Sequence, residues 1–137
     1  MMISKLSRQL IEFYDKISSW EDSVVRESGL SPAQMHTIEV IGHRDNMRMK
    51  ELAERLAITT GTLTVSVDKL EQKGFVVRKP HESDRRSWLV VLTEKGKDVF
   101  DQHHKFHDEF TAEIATELSN DEVEMLSTLL GKVIGRM

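Results

Sequence analysis

Two histidines, His103 and His107, stand four residues apart in a stretch whose apolar residues recur with helical spacing. At 100° per residue, His103 falls inside the apolar stripe and His107 at its edge, whereas His104 points away. Two imidazoles on one helix face can bind a single zinc ion. The same pair could instead be half-polar groups packed at a surface or an interface. The spacing alone leaves both interpretations open.

A second group of polar residues lies on a helix predicted from Thr60 to Lys73. Its residues Leu63, Val67 and Leu70 share the face directed to the core. The opposite face carries mostly short or polar side chains, namely Gly61, Thr62, Val65, Asp68, Lys69 and Gln72. Threonine hydroxyls and valine methyls can contact phosphates, base edges or thymine methyls. A plain surface helix would show the same pattern.

Composition and charge limit the possible classes of function. The 137 residues include 19 Lys/Arg and 23 Asp/Glu, for a net charge of −4, yet residues 44–97 hold 12 basic and 8 acidic side chains. A basic middle segment can bind a polyanion, although a mixed-charge surface fits as well. The absence of cysteine excludes disulfides, thiolate zinc sites and cysteine redox sensing. Without a predicted membrane span or signal peptide, we expect a cytoplasmic protein.

The elements that must position these residues follow from hydrophobic periodicity and from capping signals. We predict helices over about 6–27, 31–44, 49–58, 60–73, 93–118 and from 119 onward, with strands at 75–79 and 88–92. In the second helix Met35, Ile38 and Ile41 form one apolar face, and Ala33 and Val40 a second, so we expect burial on two sides. A short helix, a turn, a helix and a β-hairpin in this order predict a winged helix-turn-helix. The fold class is therefore mainly α with a small β-hairpin wing (α+β).

The segment from Asp84 to Gly96 resembles the wing signature of the MarR family of bacterial transcriptional regulators. In that family Asp-x-Arg leads into a strand that ends Leu-Thr-x-x-Gly, as it does here. Further landmarks are Glu51-Leu52-Ala53 and the segment from Leu70 to Val76. The resemblance covers essentially the whole chain. It implies one domain over 1–137, a DNA-binding lobe at 31–93, and dimerisation helices at 1–28 and 94–137.

The resemblance also implies a function and the residues that perform it. We expect a homodimeric regulator that binds a palindromic operator in double-stranded DNA. The implied DNA-binding residues are Thr60, Thr62, Thr64, Val65, Lys69, Asp84, Arg85 and Arg86. The threonines and Val65 would face the major groove, the two arginines would serve the wing, and Asp84 would brace the wing arginine. Many family members carry Arg or Lys where this chain has Val65, so we expect thymine methyl contacts there instead of guanine readout.

A narrower resemblance concerns the histidines. The zinc-responsive branch of the MarR family carries a histidine pair of the same spacing at the same distance beyond the wing. Carried over to this chain, its site implies one zinc ion held by Glu21, His36, His103 and His107, with metal promoting DNA binding. The second metal site of that branch uses a cysteine, which this chain lacks, and a carboxylate where Met35 stands. We therefore expect a single site.

Three other functions remain to be weighed against metal-controlled DNA binding. An enzyme is disfavoured because no catalytic triad, phosphate-binding glycine loop or paired-carboxylate motif stands out. A winged helix that binds only protein would tolerate charge reversal at Arg85 and Arg86. A MarR-type regulator that responds to an aromatic or lipid-like organic ligand is the main alternative.

Overall fold

In a computed structural model, which describes residues 1–83 and 87–137, helices dominate and three short strands form one antiparallel sheet. The elements are α1 (Met2–Ser28), α2 (Pro32–Arg44), β1 (Asn46–Arg48), α3 (Met49–Leu56), α4 (Thr60–Gln72), β2 (Val76–Pro80), β3 (Trp88–Leu92), α5 (Glu94–Ile114) and α6 (Asn120–Arg136). The predicted fold class is confirmed. The chain divides into two compact units, Met1–Asp101 and Gln102–Met137, each described by itself below.

Local sequence signals set where the helices of the first unit begin and end. The Ser31 hydroxyl accepts the Gln34 N–H, and the Gln34 side chain accepts the Ser31 N–H, so a capping box starts α2 with Pro32 at its first position. Before it, Gly29 ends α1 with a φ of 79°, a left-handed conformation that glycine adopts without steric cost. α1 begins at Met2, four residues before the predicted start.

The sheet has the strand order β1-β3-β2, with β3 paired antiparallel to both neighbours. The hairpin was predicted, and β3 has the predicted bounds, whereas β2 begins one residue later than expected. Strand β1 was not predicted. A segment of three residues is too short to show an alternating pattern. It forms a strand because Met47 pairs with Val90 of β3.

The core of the first unit lies between the helices and one face of the sheet. Its largest fully buried side chains are Ile38, Ile41, Leu52, Leu63, Leu70, Val25, Val67, Val76 and Val90. Burial of the predicted α2 face with Met35, Ile38 and Ile41 is confirmed. Of the second predicted face, Val40 is half-buried against the core, whereas Ala33 is exposed and its burial was wrongly predicted; Thr37, four residues after Ala33 on the same side, is buried. The Thr37 hydroxyl donates to the Ala33 carbonyl, so this buried hydroxyl has a hydrogen-bond partner.

Thr93 joins the wing to α5. Its hydroxyl donates to the Gly74 carbonyl over 2.6 Å and accepts the Gly96 N–H over 3.1 Å. Its backbone N–H donates to the Phe75 carbonyl over 3.1 Å. The Leu-Thr-x-x-Gly sequence therefore fixes the end of β3 against the residues that lead into β2.

In the second unit, α5 ends at Ile114, about four residues before the predicted end, because Ala115–Glu117 form turns in which the Thr116 hydroxyl donates to the Glu113 carbonyl. Ser119 and Glu122 form a capping box that starts α6. The predicted apolar stripe of α6 is present and exposed, with members Val123, Leu126, Leu129, Leu130, Val133 and Ile134. Among the described residues, no helix is both long and apolar enough to cross a membrane.

Candidate nucleic-acid interface

Helices α3 and α4 form the helix-turn-helix predicted from the sequence. Ala57 ends α3 with a φ of 56°, and its N–H donates to the carbonyls of Ala53 and Glu54. Thr59 then caps α4, since its side chain accepts the Thr62 N–H over 3.1 Å. The buried residues Leu63, Val67 and Leu70 hold α4 on the core. The opposite face of α4 is thereby directed to solvent.

The five predicted DNA-binding residues of α4, Thr60, Thr62, Thr64, Val65 and Lys69, are all exposed. At 100° per residue they form two stripes. Thr62, Val65 and Lys69 lie on the side away from the buried face, and the Val65 side chain is 55% exposed. Thr60 and Thr64 lie nearer the wing, where the Thr64 hydroxyl donates to the Thr60 carbonyl over 2.8 Å. The outer stripe is the part of α4 that a groove of DNA would meet first.

The predicted wing residues Asp84, Arg85 and Arg86 lie outside the described residues. At the base of the wing, the His81 N–H donates to the Ser87 carbonyl over 3.0 Å and so closes the loop. Arg48 Nη2 lies 3.0 Å from His81 Nε2, which brings a cation from the end of β1 to the same place.

Arg78 of β2 connects the wing to α4, and sequence analysis did not single it out. Its guanidinium group donates to the Asp68 carboxylate and, over 3.0 Å, to Glu71 Oε1. Its backbone N–H donates to Glu71 Oε2 over 3.0 Å. The side-chain hydrogen bond from Arg78 lowers the pKa of Glu71, and the backbone hydrogen bond adds to the effect. The carboxylates in turn raise the pKa of Arg78, Glu71 first. Two acidic residues three apart on α4, followed by an arginine in the first wing strand, were the available signal.

A cavity of about 570 Å³ opens beside this ion pair. It is lined by Met49, Thr60, Thr64, Glu71, Arg78 and Trp88, which come from α3, α4 and the two wing strands. Its volume is within the range of small-molecule sites. An occupant of this cavity would lie against two of the predicted DNA-binding threonines.

The first unit contains a pair of half-buried carboxylates. Ligand oxygens of Glu21 on α1 and Glu39 on α2 lie within 4.8 Å of each other, and one oxygen of each side chain is buried. His36, the α2 residue expected to bind metal, is exposed. Two carboxylates this close repel each other when both are charged, and a cation relieves that repulsion. Sequence analysis did not include Glu39, which follows His36 by three residues.

The second unit contains the predicted histidine pair on α5. His103 is buried, at 2% exposure, His107 is half-buried and His104 is exposed, as the helical spacing predicted. The Nε2 atoms of His103 and His107 lie 3.1 Å apart. Both rings therefore direct a potential ligand atom to the same place, and one ion could accept both.

Comparison with known proteins identifies the family. Residues 30–88 match the model of the MarR family. Over 133 residues, 94% of this chain and 89% of the relative, the chain is 31% identical to the transcriptional regulator MhqR of Bacillus subtilis. The chain belongs to the MarR family. The regulator BilQ of Clostridium symbiosum is 32% identical over 111 residues, 81% of this chain and 77% of the relative.

Solved structures of MarR-family proteins have the same fold. FabT of Streptococcus pneumoniae, crystallised in complex with DNA, matches with a TM-score of 0.85 and 27% identity over 97% of this chain and 95% of FabT. The apo form of MarR from E. coli gives a TM-score of 0.77 and 29% identity over 93% and 95%. These relatives are transcriptional regulators and not enzymes. This MarR-family protein is likewise a DNA-binding transcriptional regulator.

Proposed function

We propose that this MarR-family protein binds a palindromic operator in double-stranded DNA as a homodimer, with α4 in the major groove. The observation that carries the proposal is the outer stripe of α4, where Thr62, Val65 and Lys69 are exposed opposite a fully buried face. Two such helices in a symmetric dimer would meet half-sites about one helical turn apart. The similarity to FabT, which was crystallised in complex with DNA, supports DNA binding by this fold.

The proposal is tested with an operator enriched from random double-stranded DNA. We expect the enriched site to be palindromic and its affinity to fall steeply with salt, because Lys and Arg contacts release counterions. Arg86→Ala should weaken binding to every sequence, whereas Thr62→Ala should change the preferred sequence. Failure to enrich any duplex would contradict the proposal. An Arg86→Ala protein that binds as tightly as the parent at physiological salt would contradict the assignment of Arg86 to the wing contact.

We further propose that a divalent metal ion, with zinc favoured, controls this DNA binding. The donor types support the proposal, because each unit offers a pair of ligand atoms close enough to bind one ion. These pairs are Glu21 with Glu39 and His103 with His107. We propose Glu39 in place of His36 as the ligand from α2, since Glu39 is half-buried next to Glu21 and His36 is exposed. Two imidazoles and two carboxylates suit zinc, although other divalent ions accept the same donors.

A zinc-competition titration of the apo protein tests the donor set without relying on DNA. We expect His103→Ala and Glu39→Gln each to lower zinc affinity more than about 100-fold, which exceeds the usual loss from removing an outer partner of a ligand. His36→Ala and His104→Ala are the matched controls and should keep the parent affinity. A loss at His36→Ala equal to that at His103→Ala would restore the set expected from sequence. Equal affinity in all variants would remove metal control.

The cavity beside Arg78 favours one alternative, a regulator that responds to a small organic ligand. An occupant would lie against Thr60 and Thr64 and would compete with DNA. Because two carboxylates already neutralise Arg78, the lining suits an uncharged aromatic ligand better than an anion. The measurement that distinguishes the two proposals is whether uncharged aromatic compounds release the His103→Ala protein from its operator. If they do, and if zinc does not change operator binding by the parent, the organic-ligand proposal replaces the metal proposal.

A further inference from the structure

Arg78 belongs to the basic segment of the DNA-binding lobe, where an arginine would ordinarily be assigned to a DNA phosphate. Its surroundings indicate a different role. The side chain is 25% exposed and forms ion pairs with both Asp68 and Glu71 of α4. Two carboxylates beside a guanidinium group offset its charge, so it attracts a third anion less strongly than an isolated arginine would.

The contacts join two elements that are both expected to meet DNA. Asp68 and Glu71 stand three residues apart on one face of α4, and Arg78 lies in β2. β2 is an edge strand of the sheet, paired only with β3 among the described strands. Its outward N–H at Arg78 donates to Glu71 over 3.0 Å. Glu71 therefore holds both the backbone and the side chain of the wing strand against α4.

The charges of this group oppose a direct role in binding phosphate. One guanidinium cation and two carboxylates sum to −1, so the group as a whole repels a polyanion. The Glu71 carboxylate is charged at neutral pH, and its lowered pKa extends the charged state to lower pH. Counterion release requires a cation that neutralises a phosphate, and Arg78 is already neutralised within the protein.

We infer that Arg78 is a positioning residue for operator binding, which fixes the wing to α4 through Asp68 and Glu71. The inference rests on the DNA-binding function of the lobe. With the ion pairs in place, the wing and α4 approach DNA as one preorganised surface. Binding then does not carry the entropic cost of ordering the wing. Without them, β2 keeps its pairing with β3 and the backbone hydrogen bond from Arg78 to Glu71, but it loses the two side-chain contacts that fix it on α4.

The test compares Arg78→Met and Arg78→Lys with Lys79→Met as the matched control. Lys79 is the next residue of β2 and is exposed. Operator affinity is measured over a range of salt concentrations, and hydrogen exchange over residues 76–80 is measured without DNA. We expect Arg78→Met to bind about tenfold more weakly, equivalent to about 1.4 kcal/mol, without a decrease in the salt slope. Arg78→Lys, which keeps the charge but replaces the guanidinium group with a compact ammonium on a shorter side chain, should also bind several-fold more weakly.

Hydrogen exchange separates this inference from the DNA-binding proposal. We expect faster exchange over residues 76–80 in both Arg78 variants and parent rates in Lys79→Met. If the parent binds no DNA, the proposed function fails. Unchanged hydrogen exchange in the Arg78 variants overturns the inference that Arg78 fixes the wing to α4, whether or not the parent binds DNA. A salt slope lower by about 0.9 in Arg78→Met, with binding restored in Arg78→Lys, would make Arg78 a phosphate contact. That result would overturn the inference even if the protein folds normally.

Discussion

The carbonyl oxygen of Phe75 lies 2.1 Å from the position that a Cβ atom on Gly96 would occupy. Gly96 is in the first turn of α5, and Phe75 precedes β2, so the two elements approach more closely than any side chain allows. The Gly96 N–H donates to the Thr93 hydroxyl, which itself donates to the Gly74 carbonyl. Close packing and hydrogen bonding together explain why the Leu-Thr-x-x-Gly sequence needs its glycine.

Gly96→Ala should therefore destabilise the protein. Because the opposing atom is backbone, it cannot rotate away, and we expect the free energy of unfolding to fall by at least the ~1–3 kcal/mol of overpacking. Gly61→Ala is the control, since its nearest neighbour would be 4.0 Å away and a helical alanine is intrinsically favoured. Urea denaturation of both variants measures the difference. Equal stability of Gly96→Ala and the parent would mean that α5 and the wing are not fixed at this contact.

Lys69 and Val65 should affect DNA binding in different ways. Both are exposed on the outer stripe of α4, but only the lysine can neutralise a phosphate. We expect Lys69→Ala to weaken binding to all sequences and to lower the salt slope by about 0.9. Val65→Ala should leave the slope unchanged and relax the preference for thymine at one position of each half-site. Binding to a panel of single-base operator variants at several salt concentrations checks both expectations. If Val65→Ala weakened binding to all variants equally, Val65 would not contact a base.

Glu71 should make the protein sensitive to acid. Hydrogen bonds from Arg78 lower the pKa of the folded Glu71 below its ordinary 4.5. A group with a lowered folded pKa contributes stability above its unfolded pKa and loses that contribution as the pH falls through the folded value. Glu71→Gln should therefore be less stable than the parent at pH 7, with the difference shrinking below about pH 4. Thermal unfolding from pH 3 to pH 7 measures this, with Glu54→Gln as an exposed control. A constant difference would contradict the electrostatic origin.

Helical periodicity predicted most of the fold because it reports burial directly. The wheel correctly placed Leu63, Val67 and Leu70 in the core and distinguished buried His103 from exposed His104. It could not predict β1, whose conformation depends on pairing with β3, a partner more than forty residues away. Local pattern contains no information about such a contact.

The side-chain constellations were harder to predict than the elements. Arg78 gave no periodic signal, since its role depends on which face of α4 lies beside β2. Glu39 and His36 are three residues apart on α2, and resemblance favoured the histidine. In the structure His36 is exposed and Glu39 lies close to Glu21. Donor type and spacing restrict the candidates, whereas which side chain of α2 lies beside Glu21 depends on the packing of α1 on α2.

The exposed apolar stripe of α6 leads to a prediction about assembly. Six aliphatic side chains on one face of a helix are costly to leave in water, and a second copy of the chain would bury them by symmetry. α1 exposes a further group of large apolar residues, including Ile3, Leu6 and Phe13. We expect a dimer at micromolar concentration and expect Leu129→Glu to shift it toward monomer, because the substitution places a charge in the middle of the stripe.

Thr128→Glu provides the matched control for this substitution. It adds the same charge at the preceding position of α6, on the side opposite the stripe, and should remain dimeric. Sedimentation velocity distinguishes the two states. Operator affinity should fall sharply in Leu129→Glu and little in Thr128→Glu, because a monomer engages one half-site and loses the gain from simultaneous binding. A monomeric parent would contradict dimerisation altogether, and a dimeric Leu129→Glu protein would assign the interface to another face of the chain.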